Sequence, residues 1–298
     1  MSTITKGVIT AAGLGTRLLP VTKNVPKEML PILNKPMIHY VVEQFVEAGI
    51  LEIIIVVDEN SSVIQDYFTI DPDLVAYLKA KNKLKFIEEI QDLCARVKFQ
   101  FVTQDTSLPY GNARPLYSVR HLLGDEPFVY MYGDGIMFGP EAGVIELVQH
   151  FEKNPSQVVL TVTEVTPEQM TSLGMVRLKP GSDLVVQEVI EKPKPEQIDS
   201  NLATVCSYVF DQSIFANLDP SQVPAGQEFQ VQDAINKLIS NGNVTVCRSK
   251  GKFLTNGDVP SYLEMFVELA LARPDTREEF FKILHRKIDD LGSLLLEN

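Results

Sequence analysis

The sequence is short of several features that mark common protein classes. It has only three cysteines, Cys94, Cys206 and Cys247. They are odd in number and far apart, so they supply neither a disulfide framework nor a zinc-binding spacing, and they fit a reducing compartment. Positive charge is the minority: 27 Lys and Arg stand against 39 Asp and Glu, a formal net charge of -12. A surface of that sign repels nucleic acid and anionic membranes, so neither is expected as a partner. No apolar run is long enough to span a bilayer, and the short one after Lys6 carries no signal-peptide pattern. A cytoplasmic location is expected. Internal repeats and low-complexity linkers are absent too.

What remains is an ordinary globular composition, 45% hydrophobic and 22% charged over 298 residues. That is enough for one large α/β domain or two small ones. "GVITAAG" reads as a buried strand, Gly7 to Thr10, entering a glycine loop. "MIHYVVEQFVEAGI" spaces its apolar residues as a helix does and stops at Gly49. "LEIIIVVD" is a continuous apolar run, the mark of a strand covered on both faces. Strand, loop, helix, strand predicts a parallel pairing with a right-handed crossover. Residues 64–96 read as mostly helical. "VKFQFVTQ" and "PFVYMYGDG" read as strands, with Asp134 at the end of the second, and "ARPLYSVRHLL" and "AGVIELVQHFEKN" as helices.

After another strand, "QVVLTVTEV", the texture changes near Gly174. "GMVRLKPGSDLVVQEVIEKP" alternates as a hairpin does. "TVCSYVFD" reads as a strand and "EFQVQDAINKLISNG" as a helix ending at Gly242. "VTVCRS" and "GKFLTNGD" read as a late strand pair. Two C-terminal helices follow, whose apolar Leu269, Phe280, Phe281 and Leu284 predict packing on the body or on another subunit.

Three stretches hold residues suited to chemistry. In "AAGLGTRLLPVTKNVPKEMLPI", Gly13 and Gly15 let backbone amides approach an anion closely, and Arg17 and Lys27 add a planar fork and a compact charge. The pattern is neither GxGxxG, since position 18 is Leu, nor a P-loop. The glycines alone fit a plain tight turn equally well. Pro20, Pro26 and Pro31 keep the stretch out of a regular helix, so the cations are presented from a loop. Asp134, at the end of an apolar strand, suits Mg²⁺ or merely caps its turn. "EKPKP" offers Glu191 and Lys192 for a sugar hydroxyl and a phosphate, or forms a solvated turn.

Together these segments resemble the sugar-phosphate nucleotidylyltransferases, and most of all the branch that uses UTP and glucose 1-phosphate. The resemblance covers nearly the whole chain, from "GVITAAGLGTRLLPVTKNVPKEMLPILNKPMIHY" through "NLATVCSYVF", "EFQVQDAI" and "GKFLTNGD". It implies an α/β fold: a Rossmann-like, mostly parallel mixed sheet flanked by helices, with C-terminal helices. It divides a single nucleotidyltransferase domain into a nucleotide half (1–140), a sugar-phosphate half (141–260) and C-terminal helices (261–298). Ala11, Ala12 and Gly13 would hold the nucleotide, with Gly15, Thr16 and Arg17 on its phosphates. Lys27 would sit between the α-phosphate and the leaving pyrophosphate. Gln104 and Gly111 match positions that read the pyrimidine edge, and Asp134 matches a Mg²⁺ ligand. Gly174, Glu191, Thr204 and Tyr208 would line the hexose site, and Lys192 would hold the sugar phosphate. The family also suggests a homodimer or homotetramer.

The chain departs from the family pattern at particular places. Thr255 stands where a second metal aspartate is usual, and Asn256 or Asp258 is the candidate to compensate. Cys206 stands where a glycine precedes the pocket tyrosine, and Asn112 where histidine or glutamine follows Gly111. Arg114 and Pro115 replace small or apolar residues, and Gly135 follows Asp134. These changes leave open another nucleotide (dTTP, CTP) or sugar phosphate, or a binding protein with impaired catalysis.

Overall fold

The computed structural model describes residues 4–59, 62–240 and 242–296. In chain order its strands are β1 (Lys6–Ala11), β2 (Pro31–Ile32), β3 (Lys35–Pro36), β4 (Glu52–Val57), β5 (Lys98–Thr103), β6 (Phe128–Tyr132) and β7 (Gly135–Phe138). Then come β8 (Val158–Glu164), β9 (Gly174–Leu178), β10 (Val186–Glu191), β11 (Leu202–Phe210), β12 (Val244–Arg248) and β13 (Lys252–Thr255). Nine of them form one sheet in the order β10-β9-β11-β6-β1-β4-β5, with β8 branching from β11 and carrying β12. The pairs β6-β1, β1-β4 and β4-β5 are parallel, and β11 joins β6 antiparallel. This is the mixed, helix-flanked sheet expected from the sequence.

The apolar patterns explain the layers. β4 reads EIIIVV and is buried from its second residue onward, because helices cover both faces of the sheet. One face packs on the helices Met37–Glu47, Glu88–Arg96 and Val144–Lys153, the other on Ala113–Ser118 and Val231–Ile239. Met37–Glu47 buries Met37, Ile38, Val41, Val42 and Phe45 at helical spacing and ends before Gly49. Residues 63–96 hold three short helices, Val63–Tyr67, Pro72–Ala80 and Glu88–Arg96. Between Thr16 and Met29 the chain makes only single helical turns, as its prolines demand.

Two expectations need correction. The late strands do not pair with each other: β12 lies parallel to β8, and β13 pairs antiparallel with β7. Each completes a different sheet edge, and local alternation carries no information about a partner so distant in sequence. The expected packing of the C-terminal helices on the body holds for Leu269, which the helix Val259–Ala272 turns inward, while Phe280 and Leu284 are half-buried and Phe281 is exposed. "ARPLYSVRHLL" is also helical only over Ala113–Ser118, with a single turn at Arg120–Leu122.

The topology positions the site. From β1 the chain passes to β4 and β5 on one side, and later returns to β6 on the other. The loops leaving the carboxyl ends of β1 and β6 therefore diverge, and open α/β sheets place their ligand crevice at such a switch. Those loops carry Gly13–Arg17 and Asp134.

Candidate active site

Two cavities open above that crevice. One of about 470 Å³ is lined by Ala12, Gly13, Gly15, Thr16, Lys27, Gln104, Gly111 and Lys192. The other, about 620 Å³, is lined by Gly174, Glu191, Thr204, Cys206 and Tyr208. They meet at Arg17, Tyr132 and Asp134, which line both. Ala11 stands apart: it faces a third cavity behind the glycine loop. Lys192 lines the first cavity, and its side chain is half-exposed beside Glu191, with Nζ 3.9 Å from Oε1.

The first cavity is built on the loop after β1. Gly15 takes a left-handed φ of 60°, and the Thr22 hydroxyl donates to its carbonyl at 2.8 Å, which ties the loop to the following turn. Across the cavity, Gln104 Nε2 donates to the Ala12 carbonyl at 3.1 Å. With its NH₂ group engaged there, the amide oxygen is the group left for a ligand. Gly111 presses on the chain at Phe229, where a Cβ would come within 2.1 Å of a backbone oxygen; only glycine fits. Asn112 beside it is a latch: its Oδ1 accepts from the Val231 amide at 2.8 Å and its Nδ2 donates to Gln232 at 3.0 Å. Arg114 is occupied with the carbonyls of Leu108 and Pro109.

At the junction Lys27 Nζ donates to Asp134 Oδ2 and stands 3.9 Å from Glu28 Oε1. Burial alone would lower the Lys27 pKa, but the two carboxylates outweigh it and raise it, so the amine stays charged. Glu28 is 1% exposed, and burial holds its carboxyl protonated up to about 7, against the pull of Lys27. Its Oε2 has no hydrogen-bond partner.

The late motif fastens this junction. The Asn256 backbone amide donates to the Asp134 carbonyl at 3.0 Å, and its Nδ2 donates to the Lys27 carbonyl at 2.7 Å. One residue thus holds the two loops in register. Thr255 is a brace, its hydroxyl donating to the Asp134 carbonyl at 2.6 Å and accepting from the Gly257 amide at 3.1 Å. Asp258 caps the helix Val259–Ala272 through the Ser261 amide. Asp258 nevertheless lines the same cavity as Asp134. The donor set at the junction still fits a hard divalent cation, because Mg²⁺ accepts one protein carboxylate when phosphate and water oxygens complete its shell. Asp134 would be that carboxylate.

The second cavity is walled by β9, β10 and β11. Gly174 lets this wall close: a Cβ there would lie 2.9 Å from Thr204 Cγ2 and 3.0 Å from Glu191 Oε2. The ladder between β11 and β8 shifts register between Thr204 and Tyr208. That bulge centres on Cys206, whose φ of 27° is a conformation that favours glycine. Burial pushes the Cys206 thiol up to about 12 and raises the Glu191 carboxyl, the latter relieved in part by Lys192.

The structure therefore gathers the expected residues, Ala11 apart, around one junction. Glu28 and Tyr132 belong to it as well, although no sequence pattern marks them, and Asn256, weighed from the sequence only as a substitute metal ligand, belongs to it as a tie between two loops. "PKEM" and "LTNGD" contain two of them, but nothing in either stretch tells a buried partner from a surface polar group.

The chain has counterparts among known proteins. A UTP–glucose-1-phosphate uridylyltransferase of Bacillus subtilis (strain 168) is 35% identical over 281 residues, covering 94% of this chain and 95% of the relative. A crystal structure of UDP-glucose pyrophosphorylase complexed with UDP-glucose matches with a TM-score of 0.80 at 29% identity, covering 91% of this chain and 100% of the other. A UTP-bound UGPase from Acinetobacter baumannii matches with a TM-score of 0.85 at 27% identity, covering 94% and 98%. The profile of the nucleotidyl transferases matches residues 6–271, and the chain belongs to that family.

Proposed function

We propose that the protein is a UTP–glucose-1-phosphate uridylyltransferase, forming UDP-glucose and pyrophosphate. The observation that carries this reading is the meeting of two cavities at one charged junction, Arg17, Lys27 and Asp134. The nucleotide occupies the first cavity, in the half 1–140, and the sugar phosphate the second, in the half 141–260. Gln104 offers its amide oxygen to the N3–H of uracil, and the backbone at Ala12, Gly13 and Gly111 closes around the base and ribose. Gly15, Thr16 and Arg17 hold the phosphates.

The reaction needs no general base. A phosphate monoester is ionised near neutral pH, and its oxygen attacks the α-phosphorus in line as the bond to the β-phosphate breaks and pyrophosphate leaves. Bringing two anions together is the difficulty, and positioning with electrostatic stabilisation overcomes it. Lys192 holds the incoming phosphate. Lys27, kept charged by its carboxylate neighbours, and Arg17 absorb the charge that develops on the leaving group. Asp134 would hold a divalent cation, Mg²⁺ by the hardness of the donors, which when bound neutralises phosphate charge. Glu191, Thr204 and Tyr208 hold the hexose. Such substrates fit a cytoplasmic location.

The test is pyrophosphate release with Mg²⁺ and glucose 1-phosphate, comparing UTP, dTTP, CTP, ATP and GTP. Turnover strongest with UTP is expected. Strongest turnover with another nucleotide would keep the chemistry and change the substrate, and silence with all five would overturn the reading.

A further inference from the structure

We infer that Tyr110 is the base-stacking residue of the first cavity, its ring receiving the face of the nucleobase whose edge Gln104 reads. The inference rests on the proposed reaction and adds to it a residue that touches the nucleotide.

Tyr110 lies in the loop between β5 and the helix Ala113–Ser118, and it lines the first cavity with Gln104 and Gly111. The residue is 57% exposed. A single exposed aromatic is common, so exposure alone decides nothing. What sets this one apart is its frame. The Tyr110 carbonyl accepts from the Phe229 amide at 2.7 Å, and the Phe229 carbonyl accepts from the Ala113 amide at 3.0 Å. Gly111, between those two bonds, lies so close to Phe229 that no side chain fits. On the preceding side, Arg114 donates to the carbonyls of Leu108 and Pro109 at 2.7 Å and 3.1 Å. The backbone is thus fixed before and after a side chain that stands in solvent at the cavity.

The ring is steadied too. The Arg114 guanidinium carbon is 5.5 Å from its centre, within cation–π range. Arg114 lines neither cavity, so it steadies the ring without occupying the ligand's space. Tyr132 is the other aromatic that lines the first cavity among the described residues, and its ring is wedged edge-on between Tyr130, at 5.6 Å, and Tyr208, at 5.9 Å. Tyr110 is therefore the aromatic with an open face there.

An aromatic face and an amide do different things for a base. Stacking supplies affinity and tolerates any base, because every base has a π-face. The edge contact of Gln104 supplies the choice among bases. A tyrosine has only two side-chain torsions, and this one is already held, so little freedom is lost when a base settles on it.

The protein contains no tryptophan, so Tyr110→Trp places a single fluorescent reporter at this point. UTP with Mg²⁺ should quench its emission along the same curve that calorimetry gives for binding. Inorganic tripolyphosphate and glucose 1-phosphate should leave the emission unchanged. Tyr110→Ala should weaken UTP roughly tenfold, the scale of one lost base stack, while Tyr110→Phe stays within about twofold of wild type. Tripolyphosphate affinity, KM for glucose 1-phosphate and Tm should be the same in all four proteins. UTP binding without a change in emission, or equal UTP affinity of Tyr110→Ala and wild type, would overturn the inference. So would equal losses for UTP and tripolyphosphate, the mark of a displaced loop. If wild type prefers another nucleotide, the choice of UTP falls while the same comparison on that nucleotide still decides Tyr110. If wild type binds no nucleoside triphosphate, the proposed reaction and the inference fall together.

Discussion

Glu28 is a carboxyl with a cation on one side and nothing on its second oxygen. Its ordinary pKa of 4.5 is raised to about 7 by burial. Between those values the folded chain keeps a proton that the unfolded chain has released. The contribution of this group to stability is therefore fully present below pH 4.5 and is lost as pH rises through 7. Glu28→Gln removes the titration while keeping the shape. Urea unfolding at pH 5 and pH 8 should show the variant gaining on wild type by on the order of 1–3 kcal/mol across that interval. Parallel stability changes in the two proteins would contradict the assignment.

Cys206 is the other residue whose local state is costly. A side chain at φ 27° is strained by on the order of 1–3 kcal/mol. Cys206→Gly should raise Tm and lower KM for the sugar phosphate while leaving UTP affinity alone. A fall in Tm would show that the thiol packing outweighs the strain. The sequence exposed this position, since its place before the pocket tyrosine could be seen to depart from glycine. It gave no sign of Glu28 or Tyr132, because their burial is made by segments distant in the chain, Gly133 against Glu28 and Tyr208 against Tyr132.

At the scale of elements, the strands most easily read were those that are buried throughout. β4 is a run of Ile and Val with no polar break, and β6 is nearly so. The glycine loop and its cations were legible because they lie in one unbroken stretch. Pairing was not: β12 and β13 read as neighbours and join different strands. The function of the late loop was also hidden, since it is a clamp between two elements. Asn256 connects the Lys27 turn to the end of β6 by one side-chain and one backbone bond. Asn256→Ala cuts the side-chain bond only. We expect kcat to fall by roughly tenfold to a hundredfold with substrate KM values moved far less, as positioning contributes to the transition state more than to binding. An equal loss in KM with kcat preserved would assign Asn256 to substrate contact instead.

The whole molecule ends in a long helix, Pro274–Leu296, that packs back on Val259–Ala272 near its start. Leu263 is 61% exposed, Phe281 55% and Ile288 65%. Scattered apolar residues are common on surfaces, but these share the two helices that close the chain. We propose that this surface packs on a second copy. Light scattering of the purified protein should give a dimer or tetramer, and Phe281→Asp with Ile288→Asp should shift it toward monomer at unchanged Tm for the body. A wild-type monomer at micromolar concentration would end that proposal.

The pairing of β13 with β7 sets the order in which the protein becomes competent. The strands that frame the first cavity, β1, β4, β5 and β6, are complete by Tyr132. The clamp that fixes Lys27 against Asp134 arrives only at Asn256, 229 residues after Lys27. During synthesis, most of the sheet can therefore assemble around an inert crevice. A chain cut short before Lys252 would lack not only the clamp at Asn256 but also Leu254, Met265 and Leu269, which belong to the core beside the sheet.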